Sequence, residues 1–270
     1  MKKSPRRSST DRHLLYGVNP LMEALRAERL PDQITIAEGA RDERLRELIE
    51  LARNCGVPIK FAARATLDRE AGNTHHQGVL ARIAAPAYTD ADELLDAVGA
   101  AIGSEPEPLV VVLDGIEDPR NLGAILRTAE CAGVNGVFIP ERRAAGLNET
   151  VAKTSAGAVE YLRIARVTNL SVLIRQLKER NLWVVGTAAD ADVDYYDWDW
   201  TRASAIVLGG EGTGLHRLVS EHCDALVRIP IHGQIESLNV SVAAGVILYE
   251  ALRQRTELRR IPKHALEIDR

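Results

Sequence analysis

Three stretches of the sequence set glycine and polar side chains directly after apolar runs. The first is LDGIEDPRNLGAILRTAECAG, residues 113–133, in which Asp118-Pro119 forces a turn and Asn121 stands where it would cap a helix carrying Arg127 and Glu130. The second, AIVLGGEGTGLHR, runs from an apolar strand straight into Gly209, Gly210, Glu211, Gly212 and Gly214. The third, RIPIHGQIESLNVSVAAGVILYE, passes through a polar loop into a helix that begins near Ser237 and Asn239. Open α/β sheets place ligand crevices at such strand ends. Glycines let the backbone approach a ligand closely, and exposed helix-start amides can hold a polar group. Each feature also has a plain structural reading: a cap for Asn121, Ser237 and Asn239, a surface arginine for Arg127, a tight turn for the glycines. No GxxxxGK[ST] phosphate loop occurs, and the glycine spacing does not complete a GxGxxG dinucleotide pattern.

The elements that would hold these segments form two α/β regions. Between Leu14 and Ile83, helices near Leu21 to Glu28 and Asp42 to Asn54 alternate with strands at Ile34 to Ala37, Ile59 to Ala62 and Val79 to Ile83, punctuated by Pro31, Gly56 and Pro58. Residues 85–108 are read as a linker, with one amphipathic helix from Asp90 to Ala101. Beyond it, apolar β-rich runs at Leu109 to Leu113, Val137 to Ile139, Leu182 to Gly186, Ala205 to Leu208 and Ala225 to Ile231 alternate with helical stretches, as in a mostly parallel sheet covered on both faces. The last helix is the clearest periodic signal: Val240, Ala243, Ala244, Ile247, Leu248 and Ala251 recur at spacings of three and four. The expected layout is a basic tail at 1–12, a small α/β domain at 13–84, the linker, a larger α/β domain at 109–256 and a polar tail at 257–270.

Composition narrows the class. The chain has 270 residues, 46% hydrophobic and 27% charged, which describes an ordinary globular protein. Its apolar runs fall well short of the ~20 residues a membrane helix needs, and the start MKKSPRRSSTDR lacks the apolar stretch of a secretory signal, so a cytoplasmic location without membrane contact is expected. Cys55, Cys131 and Cys223 are odd in number and widely spaced, which argues against a disulfide framework and against a metal site. A net charge of −4 disfavours indiscriminate nucleic-acid binding, although the Arg-rich start and the Arg142-Arg143 pair could contribute a local basic surface.

Taken together, the order NxxxxxR, GGEGxGL and IPxxGxxxSLNVSVAAG resembles the SpoU/TrmH branch of the SPOUT RNA methyltransferases. YGVNPLMEAL and HHQGVLA resemble that family's accessory RNA-binding domain, and the pairing is most similar to its bacterial members acting on a guanosine of 23S ribosomal RNA. The resemblance implies a deep trefoil knot in the C-terminal domain, a homodimer with the active site at the subunit interface, and S-adenosylmethionine as methyl donor to a ribose 2′-hydroxyl. It implies that Thr187, Gly209, Gly210, Ile229, Leu238 and Asn239 hold the cofactor. It implies catalytic roles for Arg127, Asn121, Glu211, Ser237 and Asn239, with Arg127 foremost. A guanidinium does not readily give up its proton, so Arg127 is expected to grip a phosphate and orient the ribose rather than act as base. His75, His76 and Gln77 read as ordinary loop residues.

Three other functions fit the pattern less well. Against a 2′-O-methyltransferase of transfer RNA or of another rRNA position, only the accessory domain speaks. A noncatalytic ribosome-assembly factor is disfavoured by the intact Arg127, Glu211 and Asn239. A doubly wound oxidoreductase is disfavoured because DGIEDPRN stands where a glycine fingerprint would follow the first strand.

Overall fold

The computed structural model describes residues 12–39, 42–72, 76–84 and 87–260. They fall into two compact units. The first holds the described residues up to Ala87 together with Gly146–Tyr161, and the second holds Tyr88–Ala145 and the chain from Leu162 onward.

The first unit builds β1 (Arg12–Tyr16), α1 (Val18–Arg26), β2 (Ile34–Ala37), α2 (Glu43–Asn54), β3 (Ile59–Ala62), α3 (Arg64–Ala71) and β4 (Val79–Ala84). Its sheet has the order β1-β4-β2-β3. Ile34 and Ile36 on one face pack with Leu21, Leu25, Leu45 and Leu48 of α1 and α2, while Leu67 of α3 covers Ala37 and Leu80 on the other. Asp42 caps α2 by accepting from the Arg44 N–H at 3.0 Å. His76 is fully buried, its Nε2 2.9 Å from Asp68 Oδ1 and its Nδ1 accepting from the Gly78 N–H at 3.0 Å, so it pins the loop before β4. His75 lies outside the described residues, as do most of the two expected terminal tails.

The second unit opens with α4 (Ala91–Ala100), capped by Asp90, then β5 (Leu109–Asp114), α5 (Pro119–Cys131) and β6 (Gly136–Pro140). Leu94, Leu95 and Val98 of α4 are buried in the main core of this unit with Val110, Val112, Phe138 and Leu173. Each such burial contributes about 1.5–3 kcal/mol. The stretch read as a linker is thus in large part a core helix, and its apolar stripe packs on the sheet.

After β6 the chain enters the first unit as α6 (Glu149–Thr154) and a 3₁₀ turn at Ala158–Glu160. Ala152 joins the first core, Lys153 lies over the Tyr16 ring at 4.8 Å, and Glu160, almost fully buried, pairs with Arg29 at 2.6 Å. Burial raises the Glu160 carboxyl above its ordinary range, with the Arg29 charge opposing that shift.

The chain continues as β7 (Ile164–Val167), α7 (Leu170–Glu179), β8 (Trp183–Thr187), β9 (Val193–Asp194), β10 (Ser204–Gly209), α8 (Arg217–His222), β11 (Ala225–Arg228) and α9 (Val240–Arg260). All seven strands of this sheet are parallel, in the order β7-β6-β5-β10-β8-β11-β9. The near-continuous Val, Ile and Leu of β5 and β10 suit strands covered on both faces. The order reverses beside β5: β6 and β7 lie on one side, whereas the later strands lie on the other, with β10 inserted between β5 and β8. Such a reversal opens a crevice at the strand C-termini. Helices α5 and α9 pack against each other, and the absent side chain of Gly245 brings Thr128 close.

Arg255, near the end of α9, is buried, and its guanidinium donates to the carbonyls of Glu107 at 2.6 Å, Trp200 at 2.7 Å and Arg202 at 2.8 Å. Burial depresses its pKa to about 10. Nothing in the sequence singled it out.

Candidate active site

At the C-terminal ends of β5 and β10 lies a cleft of about 240 Å³ lined by the backbone and side chains of residues 115–118, Asn121, Glu211, Thr213 and Val240. Its floor is set by sequence-distant contacts. Asp114, the last residue of β5 and nearly fully buried, accepts from the His216 N–H at 2.7 Å and meets His216 Nδ1 at 2.8 Å. This fixes the far end of the glycine loop. Neither residue stood out in the sequence, although a carboxylate ending an apolar strand was the available signal.

Close backbone contacts require glycine in that loop. A Cβ on Gly209 would lie inside the van der Waals envelope of the Gly214 backbone, and one on Gly210 would overlap the Gly115 carbonyl oxygen. Gly214 N–H closes the turn on Gly210 O at 3.0 Å, and Gly214 itself sits at φ +60°.

Three of the expected site residues meet in this cleft. Asn239 donates from Nδ2 to Glu211 Oε1 at 2.6 Å and to Asn121 Oδ1 at 3.1 Å. Its own Oδ1 accepts from the Ser241 N–H at 2.9 Å and the Ser241 hydroxyl at 2.6 Å. One side chain therefore both caps α9 and ties the glycine loop to α5. Asn121 does not cap α5, contrary to the expectation from sequence. Asp118 does so by accepting from the Arg120 N–H at 2.7 Å with Pro119 at the first helical position, which leaves Asn121 buried and turned to Asn239.

The other expected positions take two arrangements. Thr187 ends β8 and pairs with Val227 of β11, Gly209 ends β10, and Ile229 follows β11, so three neighbouring strands present them along one sheet edge. Thr187 Oγ1 donates to Val207 O at 3.3 Å. Ser237 and Leu238 are exposed in the loop that leads into Asn239. Arg127 is exposed on α5, six residues past Asn121, and does not line the cleft. Six residues turn a helix through about 600°, so the two side chains leave it in different directions.

Three acidic residues, Glu117, Asp118 and Glu211, line the cleft and suit a ligand with a small cationic centre. A sulfonium cofactor with a positive centre fits these residues. Among the described residues, no group of three or more His, Cys, Asp or Glu is placed to hold a metal ion, and no helix is long and apolar enough to cross a membrane.

Comparison with known proteins adds relatives to this geometry. Residues 108–249 match the model of the SpoU rRNA Methylase family, and residues 14–89 match a model described as RNA 2′-O ribose methyltransferase substrate binding. The chain is 42% identical over 246 residues to the 23S rRNA (guanosine-2′-O-)-methyltransferase RlmB of Escherichia coli, covering 90% of this chain and 99% of that one. It is 43% identical over 241 residues to YacO of Bacillus subtilis, assigned to the TrmH family of tRNA/rRNA methyltransferases, covering 89% and 95%. Among solved structures, the SpoU methyltransferase AviRb of Streptomyces viridochromogenes in complex with AdoMet aligns with a TM-score of 0.75 at 25% identity, over 94% of this chain and 95% of the other.

Proposed function

Because the chain belongs to the SpoU rRNA methylase family and is an S-adenosylmethionine-dependent RNA 2′-O-methyltransferase, we propose that its substrate is a guanosine ribose of 23S ribosomal RNA. The observation that carries this reading is the match to RlmB through both units, substrate-binding and catalytic alike, over nearly the whole of each chain.

Bound at the strand edge, S-adenosylmethionine supplies an electrophilic methyl on a positively charged sulfur. The chain's residues provide alignment. The backbone of Thr187, Gly209, Gly210, Ile229 and Leu238 clasps the cofactor, and Glu211 favours its positive charge. Asn239 and Asn121 fix the wall against which the ribose is set, with Ser237 beside them. Holding nucleophile and methyl in line accounts for a large share of the acceleration in such a displacement.

Arg127 works from outside its own cleft. Its exposed position on α5 suits a site shared between two copies, where it grips the phosphate next to the target ribose of the partner's substrate. Leu238, Val242 and Tyr249, exposed on α9 and just before it, supply apolar area for such a homodimer. The insertion of β10 between β5 and β8 is in keeping with the trefoil knot. A cytoplasmic location follows from the substrate.

Methyl transfer from labelled S-adenosylmethionine to unmodified 23S rRNA and to unmodified transfer RNA, in parallel, tests the substrate. A kcat/KM at least 100-fold higher on 23S rRNA, with label at one guanosine ribose, supports the proposal. Preference for transfer RNA overturns it.

A further inference from the structure

In the first unit, β1 and β2 are both antiparallel to β4, and β3 is parallel to β2. The C-terminal ends of β1, β2 and β3 therefore share one edge of the sheet, and each strand is followed there by the start of a helix. The loop before β4 arrives at the same edge: the Gly17 N–H donates to Val79 O at 3.3 Å, the Ala37 N–H to Gly78 O at 2.8 Å, and the Val18 N–H to Gln77 Oε1 at 3.0 Å.

This edge collects exposed side chains from separate segments: Asn19, Arg44, Phe61, Arg64 and Gln77. Phe61 is 53% exposed, one of only two phenylalanines in the chain; the other, Phe138, is fully buried. An exposed aromatic ring three residues before the exposed Arg64, at the same edge as Arg44, is a usable stacking platform for a partner. Among the described residues Arg64 makes no hydrogen bond or ion pair, and the Arg44 guanidinium reaches only Asn19 Oδ1, at 3.4 Å.

We propose that this edge is where the first unit grips RNA, with Phe61 stacking on an unpaired base, Arg44 and Arg64 taking flanking phosphates, and Asn19 and Gln77 meeting polar base or sugar groups. The proposal rests on the RNA substrate put forward above and deepens it. Single-stranded loops and bulges are recognised by this combination of a stacking ring and arginine planes. The charge balance selects that mode over general polyanion binding. Glu38, Asp42 and Glu43 are exposed at the same edge and offset the two arginines, so attraction to phosphate in bulk is weak and stacking must carry the affinity. The outer face of α2, by contrast, alternates Arg46, Glu47, Glu50 and Arg53 with no exposed ring.

The experiment measures RNA affinity of the full chain for unmodified 23S rRNA across a salt series, alongside KM and kcat of methyl transfer, for the native protein, Phe61→Ala, Arg64→Ala and the control Arg53→Ala. Phe61→Ala should weaken binding about tenfold at every salt concentration with an unchanged salt slope. Arg64→Ala should lower that slope by about 0.7–1. KM should rise with both, while kcat at saturating RNA, cofactor affinity and Tm stay native, and Arg53→Ala should match the native protein. Native affinity and slope in both edge variants would overturn the proposal. Binding needs no turnover, so failure of the native chain to methylate RNA would sink the proposed function and leave this result to be read by itself.

Discussion

The side-chain amide of Asn239 meets the carboxylate of Glu211 at 2.6 Å, joining the start of α9 to the glycine loop after β10. The same nitrogen donates to Asn121, so one amide holds three separate segments of the cleft.

Replacing Asn239 separates its two duties. Asn239→Asp keeps an oxygen for the Ser241 N–H, so helix capping and Tm should stay within a few degrees of native. It also sets a carboxylate against Glu211 and removes the donor to Asn121, and kcat/KM should fall by about 100-fold or more. Asn239→Ala should lose a comparable rate and in addition about 1 kcal/mol of stability with the cap. Activity assays and thermal unfolding of both variants check this pair of outcomes.

Gly210→Ala drives a methyl group into the Gly115 carbonyl oxygen, and the contact is backbone on both sides, so the loop must move. Calorimetric titration should show cofactor affinity reduced at least tenfold. At Gly212, where φ is +78° but nothing stands within 4 Å, the same change should cost about 1 kcal/mol of stability and leave cofactor affinity near native.

Arg255→Ala leaves the carbonyls of Glu107, Trp200 and Arg202 without their donor inside the fold. A loss of about 3 kcal/mol follows, a drop of roughly 6–12 °C in Tm for a chain of this size. Denaturant unfolding that left the midpoint unchanged would show that water replaces the guanidinium.

Cys223 gives a pH dependence. Burial raises its thiol to about 12 from an ordinary value near 9. A folded-state pKa above the unfolded one means the folded state holds the proton more tightly between those values. The stability this contributes is complete below pH 9 and declines as pH rises toward 12. Urea unfolding from pH 8 to 11 should show a steeper loss for the native chain than for Cys223→Ala.

Much of this architecture was legible in the sequence for identifiable reasons. The buried strands β5 and β10 announced themselves as short apolar runs rich in Val, Ile and Leu, and the helices expected to start at Asp42 and Asp90 do so, with those two side chains as their caps. The glycine loop stood out because its glycines prevent overlap with Gly115 and Gly214, a constraint only that residue type satisfies. The linker reading failed because prolines flank α4 while its three buried residues carry only a short apolar stripe. Asn121 was read as a cap because Asp118 was taken for turn chemistry alone, and pairing with a residue 118 positions away leaves no local mark. Asp114 with His216, the carbonyl cage of Arg255 and the packing of Gly146–Tyr161 with the first unit are likewise long-range. Local periodicity does not encode them.

The most direct test is to map 2′-O-methyl groups formed on unmodified 23S rRNA by the native chain and by Arg127→Ala, with cofactor binding measured on both. The account predicts one methylated guanosine ribose with the native chain, loss of that product by at least 100-fold in the variant, and equal cofactor affinity. Cofactor binding by the native chain with no methyl transferred to 23S rRNA, or undiminished transfer by Arg127→Ala, would contradict it.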